Sequence, residues 1–332
     1  GAFLNARFTG EARHRRRLAK MIALENPLRA LQVFGQSVWL DYIRRSLITG
    51  GELSRLIDED GLRGVTSNPA IFEKAITGSS DYRAVLEQPD VRALDAKSAY
   101  ERLAVQDIRD AADALRPVYD DTSRRDGYVS LEVSPLLAYD TAGTLEEARR
   151  LWWAVDRDNL MIKVPATAQG ISAVSELIGE GINVNVTLLF AQDSYERVAE
   201  AYIAGLETYV ARGGNLKQVA SVASFFISRI DTAIDMLIAA RLQAGTDANE
   251  SSVLRGLTGK VAIANAKLTY QRYQELFSGR RWQALASRGA QTQRLLWAST
   301  GTKNPNYRDV VYIEELIGPD TVNTMPPATF DA

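Results

Sequence analysis

The strongest constraint on the fold is a regular alternation of short β-rich segments with longer amphipathic segments, from about residue 33 to the end of the sequence. Such alternation is typical of parallel strands joined by helices. Eight strand candidates follow one another, at 34–41, 62–68, 128–133, 159–164, 183–190, 218–224, 294–299 and 320–325. Since no GxGxxG or GxxxxGK[ST] motif follows a strand, the pattern favours an α/β fold of the (β/α)8 TIM barrel type over a doubly wound sheet.

The segments between the strand candidates carry helix signals. The stretch TLEEARRLWWAV begins with a capping box formed by Thr144 and Glu147, which predicts a helix that starts there. The stretch after the fifth strand candidate, 191–214, ends in two glycines suited to a helix C-terminus. Segments 69–127 and 225–293 are long for single crossovers, so we expect extra helices in both.

The composition limits the chemistry of such a barrel. Lys+Arg number 39 and Asp+Glu 41, a formal net charge of −2, which gives no global electrostatic reason to expect nucleic acid or an anionic membrane as a partner. The absence of cysteine excludes disulfides, thiolate nucleophiles and cysteine-held metals and fits a cytoplasmic location. The one histidine, His14, lies near the N-terminus, so histidine-based triads and HExxH zinc sites are excluded elsewhere. An enzyme of this composition works with lysine, carboxylates and hydroxyls.

The N-terminal segment and the apolar content bear on location and domain organisation. No run of about 18 apolar residues is present, so the sequence predicts no transmembrane helix. Residues 1–25 lack the features of a signal peptide, and we expect an N-terminal extension or leader whose basic cluster, 13–17, is a solvated face. Since no linker or internal repeat follows, residues 26–332 are predicted to form a single barrel domain.

Polar side chains gather at the carboxyl ends of the strand candidates. In 183–190, Asn185 and Thr187 share one face, whereas Val186 and Leu188 share the other. Because a barrel strand under a ring of helices needs an apolar outer face, the polar face must point into the barrel. Seven strands end, or nearly end, in a polar residue: Asp41, Asn68, Glu132, Lys163, Thr187, Ser224 and Ser299. Catalytic groups of barrel enzymes lie at this end, so we expect a site there.

Lys163 is the least expected of these residues, because it interrupts the apolar stretch NLMIKVPAT. A protonated amine there is costly unless it is paired or neutralised. One interpretation is a structural ion pair with a neighbouring glutamate. The other is a partly desolvated, nucleophilic amine that forms a Schiff base with a carbonyl, while carboxylates move the protons. Asn68, which precedes a proline, likewise has two interpretations, a helix N-cap and a residue of the site.

Eight motifs occur in order along the chain: SVWLDYI, GVTSNPAIF, SLEVSP, MIKVPAT, INVNVTLLF, SVASFFISRID, IANAKL and LLWASTGTKNP. Together they resemble the bacterial transaldolases, over nearly everything from about residue 26 to residue 332. The resemblance implies a class I aldolase-type barrel that transfers a dihydroxyacetone unit from fructose 6-phosphate or sedoheptulose 7-phosphate to erythrose 4-phosphate or glyceraldehyde 3-phosphate. It implies sugar phosphates as partners, and no metal or organic cofactor.

The resemblance also implies the roles of four catalytic residues. Lys163 is the Schiff-base lysine that attacks the C2 carbonyl of the donor. Glu132 shuttles protons through a water during imine formation and hydrolysis, and Thr187 orients Glu132 and that water. Asp41 takes the C4 hydroxyl proton as the C3–C4 bond breaks and returns it when the acceptor adds.

Five substrate-binding residues follow from the same resemblance: Asn68, Ser224, Arg229, Ser299 and Lys303. Asn68 and Ser224 hydrogen-bond the dihydroxyacetone hydroxyls, and Arg229 grips the phosphate, as a guanidinium can do with two parallel hydrogen bonds. Ser299 supplies a second anion contact. Lys303 supplies a basic group at a spacing shifted from that of the family. The alternative for Arg229 is a surface ion pair with Asp231 or Asp235.

The sequence departs from the family at its C-terminus. The family continues beyond TMPPATFDA through a final helix, so we expect this sequence to lack that helix. Some relatives fuse the barrel to a glucose-6-phosphate isomerase domain, and a fused or associated domain of that kind is a further expectation.

Three functions remain open at this point. They are an active transaldolase, a Schiff-base fructose-6-phosphate aldolase that hydrolyses the enamine, and a non-catalytic barrel that binds sugar phosphates. Acceptor dependence separates the first two, and covalent trapping separates both from the third. The presence of Lys163, Glu132 and Asp41 together favours an enzyme.

Overall fold

The computed structural model describes residues 26–332, in which eight parallel strands close into a barrel. The strands are β1 Gln36–Asp41, β2 Gly64–Thr66, β3 Tyr128–Glu132, β4 Leu160–Pro165, β5 Val184–Leu189, β6 Ser221–Phe226, β7 Arg294–Ala298 and β8 Thr321–Met325. Each strand pairs with the next in sequence, and β8 pairs back with β1. The predicted (β/α)8 barrel and all eight predicted strands are confirmed. The predicted N-terminal extension, 1–25, lies outside the described residues.

Helices cover the outside of the barrel. They are α1 Pro27–Val33, α2 Arg45–Thr49, α3 Glu52–Glu59, α4 Pro69–Gly78, α5 Arg83–Leu86, α6 Pro89–Arg92, α7 Ala96–Asp121, α8 Thr141–Val155, α9 Ala168–Gly179, α10 Gln192–Ala211, α11 Ser228–Gln243, α12 Ala248–Leu257, α13 Val261–Leu276, α14 Arg280–Ala286, α15 Val311–Glu315 and α16 Pro327–Phe330. Four helices lie between β2 and β3 and four between β6 and β7, so the extra helices expected there are confirmed. Among residues 26–332, no helix combines the length and apolarity needed to cross a membrane.

Alternation along each strand separates two apolar layers. The outward residues of the strands, such as Ile162 and Val164 of β4, pack with the helices in the main core. Inward residues such as Trp39, Met161 and Leu296 form a second cluster that fills the lower part of the barrel. Because Lys163 has the same phase as Met161, the strand that carries it into the barrel also buries its neighbours against the helices.

Strand β5 breaks this alternation at its end. Leu188 was predicted on the outer, apolar face, but it has a φ of 64° and is 42% exposed. The pairing of β5 with β6 shifts register between Val186 and Leu189, and Leu189 is the residue that is buried with the helices. The period-2 prediction is therefore wrong after Thr187, because a bulge inserts one residue into the strand.

One predicted helix start is wrong and one predicted helix end is confirmed. Helix α8 begins at Thr141, where the Asp140 side chain caps it by accepting a hydrogen bond from the Gly143 N–H. Thr144 and Glu147 therefore lie inside the helix and form no capping box. The two glycines after α10 do end that helix, and the first of them, Gly213, has a φ of 84°, a conformation that favours glycine.

A buried ion pair closes the amino-terminal end of the barrel. Arg294 at the start of β7 contacts Asp126, with 2.8 Å between Nη2 and Oδ1. Ser37 of β1 donates its hydroxyl to the other Asp126 oxygen, at 2.8 Å, and accepts a hydrogen bond from Arg294. The three groups join β1, β7 and the segment before β3, which leaves the opposite end of the barrel for the polar residues predicted to form a site.

Candidate active site

A cavity of about 340 Å³ lies at the carboxyl end of the strands, where barrel enzymes carry their active sites. Eight of the nine predicted site residues line it: Asp41, Asn68, Lys163, Thr187, Ser224, Arg229, Ser299 and Lys303. The ninth, Glu132, contacts Lys163 from the side. The fold thus brings together residues from five strands, β1 and β3 to β6, and from the segments that follow β2, β6 and β7.

Lys163 is buried and paired. Its Nζ atom lies 3.0 Å from Oε2 of Glu132, and it donates a hydrogen bond of 3.2 Å to the Ser67 carbonyl. The side chain of Lys163 is only 8% exposed, and the register of β3 and β4 places the two residues side by side. Glu132 offsets the cost of burying the amine. The ion-pair interpretation of Lys163 is therefore confirmed. The residue also faces the cavity, and its role as a nucleophilic amine stays a prediction.

Glu132 borders a second, smaller cavity of about 220 Å³ rather than the first. Tyr100 lines this smaller cavity, and burial together with the nearby Glu132 charge raises the pKa of Tyr100 to about 12. Glu132 thus lies within hydrogen-bond distance of the Lys163 amine. Its predicted role as a proton shuttle through a water stays a prediction.

Asp41 ends β1 and lines the cavity with two threonines that the sequence analysis missed. Thr66 donates its hydroxyl to Oδ1 of Asp41 at 2.8 Å, and the hydroxyls of Thr66 and Thr324 lie 2.9 Å apart. Both threonines line the cavity. Their inward phase in β2 and β8 was available in the sequence as a signal, since Thr66 stands two residues before Asn68.

Asn68 confirms the N-cap interpretation and also lines the cavity. Its side-chain oxygen accepts a hydrogen bond of 2.9 Å from the Ile71 N–H, in the first turn of α4. Lys74 lies on the same face of this helix, three residues after Ile71, and reaches the cavity too. Lys74 was not predicted, because a lysine on an amphipathic helix is usually a solvated residue.

Thr187 and Ser224 differ in how their hydroxyls are satisfied. Ser224 donates to Oδ1 of Asn185 at 2.7 Å, and Asn185 donates to Ser130 at 3.0 Å, a hydrogen-bonded chain across the inside of the barrel. The Oγ1 atom of Thr187 is buried and has no hydrogen-bond partner among the described residues. No direct bond joins it to Glu132, the residue that it was predicted to orient. A buried, unpaired hydroxyl that lines a cavity is available to a ligand.

Basic side chains lie on the rim of the cavity. The Arg229 guanidinium lies 4.8 Å from the centre of the Phe226 ring. Within residues 26–332 Arg229 forms no ion pair, and Asp231 and Asp235 accept hydrogen bonds from other groups, so the alternative of a surface pair is wrong. Arg229 is therefore free to bind an anion.

Ser299 and Lys303 follow β7, the strand that pairs with β6, and so lie on the same side of the rim as the start of α11. Ser299 has a φ of 57°, and its hydroxyl lies 2.9 Å from that of Ser228, the first residue of α11. The Lys303 side chain has no ion pair in the described part of the chain. In the same part of the chain, no three acidic or histidine side chains are placed to hold a metal ion.

These features define a class of protein. A (β/α)8 barrel with a buried lysine at its carboxyl end, a glutamate on the amine and a second carboxylate in the same cavity is built for Schiff-base chemistry on carbonyl compounds. A family model described as Transaldolase/Fructose-6-phosphate aldolase matches residues 38–332, and the chain belongs to this family.

Individual relatives agree with the family match. The chain is 52% identical over 307 residues to a protein named Transaldolase from Trichodesmium erythraeum, covering 92% of this chain and 81% of the relative. It is 52% identical over 308 residues to Transaldolase 2 of Nostoc sp., with the same coverage. It is 49% identical over 315 residues to Transaldolase 1 of Streptomyces avermitilis, covering 94% of this chain and 81% of the relative. The predicted family and enzyme class are confirmed.

Proposed function

We propose that the chain is a transaldolase, which transfers a dihydroxyacetone unit from fructose 6-phosphate or sedoheptulose 7-phosphate to glyceraldehyde 3-phosphate or erythrose 4-phosphate. The observation that supports this most is the 3.0 Å contact between Lys163 Nζ and Glu132, beside a cavity that Asp41 also lines. The relatives named Transaldolase, about half identical to this chain, support the same activity.

In the proposed mechanism, Glu132 first takes a proton from the Lys163 ammonium. The neutral amine adds to the C2 carbonyl of the ketose phosphate, and the proton held by Glu132 passes to the C2 hydroxyl, which leaves as water. The product is an iminium on Lys163. The direct contact between the two side chains suits this exchange, because proton transfer needs hydrogen-bond distance.

Carbon–carbon cleavage then depends on Asp41. Its carboxylate takes the proton of the C4 hydroxyl, the C3–C4 electron pair moves into the iminium, and C4 leaves as the aldehyde of an aldose phosphate. The dihydroxyacetone unit stays on Lys163 as a neutral enamine. An acceptor aldehyde then adds at C3, Asp41 returns the proton to the new hydroxyl, and hydrolysis releases the product ketose and the free amine.

The remaining residues hold the substrate in this proposal. Asn68 and Ser224 hydrogen-bond the hydroxyls of the dihydroxyacetone unit, and the unpaired hydroxyl of Thr187 orients the water that forms and breaks the imine. Arg229 binds the substrate phosphate, with the segment that carries Lys303 beside it. Ser299, on the same side as Lys303, supplies a further anion contact.

Borohydride trapping tests the proposal. With fructose 6-phosphate, we expect reduction to leave a three-carbon adduct on Lys163, seen by intact mass and peptide mapping, and absent from Lys163→Met. Lys267→Met is the matched control, because Lys267 is a surface lysine paired with Glu315, and it should form the adduct normally. A folded wild type that forms no adduct with any ketose phosphate would favour the non-catalytic barrel.

A second candidate, fructose-6-phosphate aldolase, is favoured by one observation, the inclusion of that activity in the description of the family model. The two activities differ in the fate of the enamine. The aldolase hydrolyses it, whereas the transaldolase adds it to an acceptor aldehyde. Free dihydroxyacetone, measured with fructose 6-phosphate alone and again with added erythrose 4-phosphate, separates them. Release that does not need the acceptor supports the aldolase, and product formation only with the acceptor supports the transaldolase.

We also propose that residues 26–332 form one catalytic domain that acts in the cytoplasm, in keeping with the absence of cysteine from the sequence. A fused or associated glucose-6-phosphate isomerase domain stays a prediction. The mass and the isomerase activity of the protein purified from its native source would test it.

A further inference from the structure

Two tyrosine–aspartate pairs hold the segment after β7 against helix α11. Tyr307 donates its hydroxyl to Oδ2 of Asp235 at 2.5 Å, and Tyr312 donates to Oδ2 of Asp231 at 2.8 Å. Both aspartates lie on α11, whose second residue is the rim residue Arg229. One helix therefore carries the arginine and fixes the neighbouring segment that carries Lys303.

Further contacts hold both members of the Tyr307–Asp235 pair in place. The second oxygen of Asp235 accepts the Gly259 N–H at 3.0 Å. Gly259 has a φ of 69°, and a Cβ there would lie 2.7 Å from Cζ of Tyr307, so the glycine makes room for the ring. Burial, followed by the hydrogen bond to Asp235, raises the pKa of Tyr307 to about 12, so that the hydroxyl remains a donor at neutral pH.

Lys303 lies between two cavities. It lines the active-site cavity and also a neighbouring cavity of about 280 Å³, which is bordered by Asp231, Asp235 and Tyr307. The side of Lys303 away from the active-site cavity thus faces a cavity lined by both members of the Tyr307–Asp235 pair. The hydrogen bond between the Tyr307 hydroxyl and Asp235 fixes that wall of the cavity against α11.

We propose that Tyr307 and Asp235 are positioning residues for phosphate recognition, which hold Lys303 toward the active-site cavity. This inference rests on the proposed function, in which Lys303 and Arg229 bind the phosphate of the sugar. Neither Tyr307 nor Asp235 contacts the substrate. Their loss should weaken the binding of phosphorylated substrates and leave the chemistry at Lys163 intact.

Steady-state kinetics of Tyr307→Phe test the proposal, with the donor sedoheptulose 7-phosphate held at saturation, so that transfer to glyceraldehyde 3-phosphate gives a net product. We expect the KM for glyceraldehyde 3-phosphate to rise about tenfold, the size of effect of one hydrogen bond to a charged group, with little change in kcat. The KM for unphosphorylated glyceraldehyde should not change. Tyr270→Phe is the matched control, because its hydroxyl donates to the Pro319 carbonyl, before the start of β8, at the other end of the barrel.

Variants of Asp235 separate positioning from general structure. Asp235→Asn keeps an oxygen acceptor, so its KM should stay near that of the wild type, whereas Asp235→Ala should match Tyr307→Phe. Equal increases in KM for the phosphorylated and the unphosphorylated acceptor, or no increase in KM in Tyr307→Phe, would overturn the inference. A wild type that traps no adduct or does not prefer the phosphorylated acceptor overturns the proposed function as well, so the two failures can be told apart.

Discussion

At the scale of single residues, the proposed mechanism assigns imine formation and carbon–carbon cleavage to two different carboxylates, Glu132 and Asp41. Asp41 accepts a hydrogen bond from Thr66 and lines the cavity, whereas the carboxylate in contact with the Lys163 amine is that of Glu132. In the proposed mechanism the two carboxylates act at different steps. Removing the charge of Asp41 should therefore stop the reaction after the iminium has formed.

We expect Asp41→Asn to accumulate an uncleaved Schiff base. Because an amide cannot take the C4 hydroxyl proton, kcat should fall by about a thousandfold, within the usual range for a lost general base. Borohydride reduction should then leave an adduct with all six carbons and the phosphate, instead of three carbons. Asp140→Asn is the matched control, since asparagine also caps a helix. A three-carbon adduct at the wild-type rate would remove Asp41 from the cleavage step.

At the scale of elements, strand β5 combines two costly features at its carboxyl end. Thr187 has a buried hydroxyl without a partner among the described residues, and Leu188, the next residue, has a positive φ. An unpaired buried polar group typically destabilises a protein by about 1–3 kcal/mol. Features of this kind concentrate at functional sites, where they are retained because the ligand uses them.

Thr187→Val should therefore raise the stability of the fold and lower the enzymatic activity. Valine keeps the β-branched shape and removes the unpaired hydroxyl, so the free energy of unfolding should rise by about 1 kcal/mol. Activity should fall by about a hundredfold, because the water of imine formation and hydrolysis loses its orienting group. Urea denaturation and kcat measure the two effects. Thr269→Val, in which the lost hydroxyl belongs to a buried threonine of α13, should leave kcat unchanged. A destabilised Thr187→Val would mean that the hydroxyl is satisfied in solution.

The strands could be predicted because their signal is local. Apolar and polar residues alternate within each strand, and the same phase that buries Ile162 and Val164 against the helices points Lys163 inward. The carboxyl ends of parallel strands meet at one end of a barrel, so the position of the site followed from the fold. Eight of the nine predicted residues accordingly line one cavity.

Features that depend on distant contacts could not be predicted. Glu147 has the spacing of a capping box, but its carboxylate accepts the Ser134 N–H and pairs with Lys97. The bulge at Leu188 is a matter of register between β5 and β6, which one strand alone does not encode. Lys74 reaches the site only because Asn68 starts its helix at the rim.

At the scale of the whole molecule, the barrel is closed at its lower end by the Asp126–Arg294 pair, opposite the site. Burial alone would raise the pKa of Asp126, but the Arg294 guanidinium and the hydrogen bonds from Arg294, Ser37 and Trp39 outweigh it and hold that pKa below its ordinary value. The ionised carboxylate is thus the form that the folded barrel stabilises. Protonation of Asp126 should weaken the closure of the whole barrel.

Asp126→Asn should destabilise the protein by about 3 kcal/mol at pH 7, because it leaves the Arg294 charge buried without its partner. Since the pKa of Asp126 is lower in the folded state than in the unfolded state, this contribution is present above about pH 4 and is lost as the pH falls through the folded pKa. The difference in unfolding free energy between wild type and variant should therefore shrink below about pH 4. Urea denaturation across this range measures it. Asp320→Asn, which weakens the more exposed pair with Arg125, should cost at most about 1 kcal/mol. A difference that stays constant or grows on acidification would show that the charge of Asp126 does not stabilise the barrel.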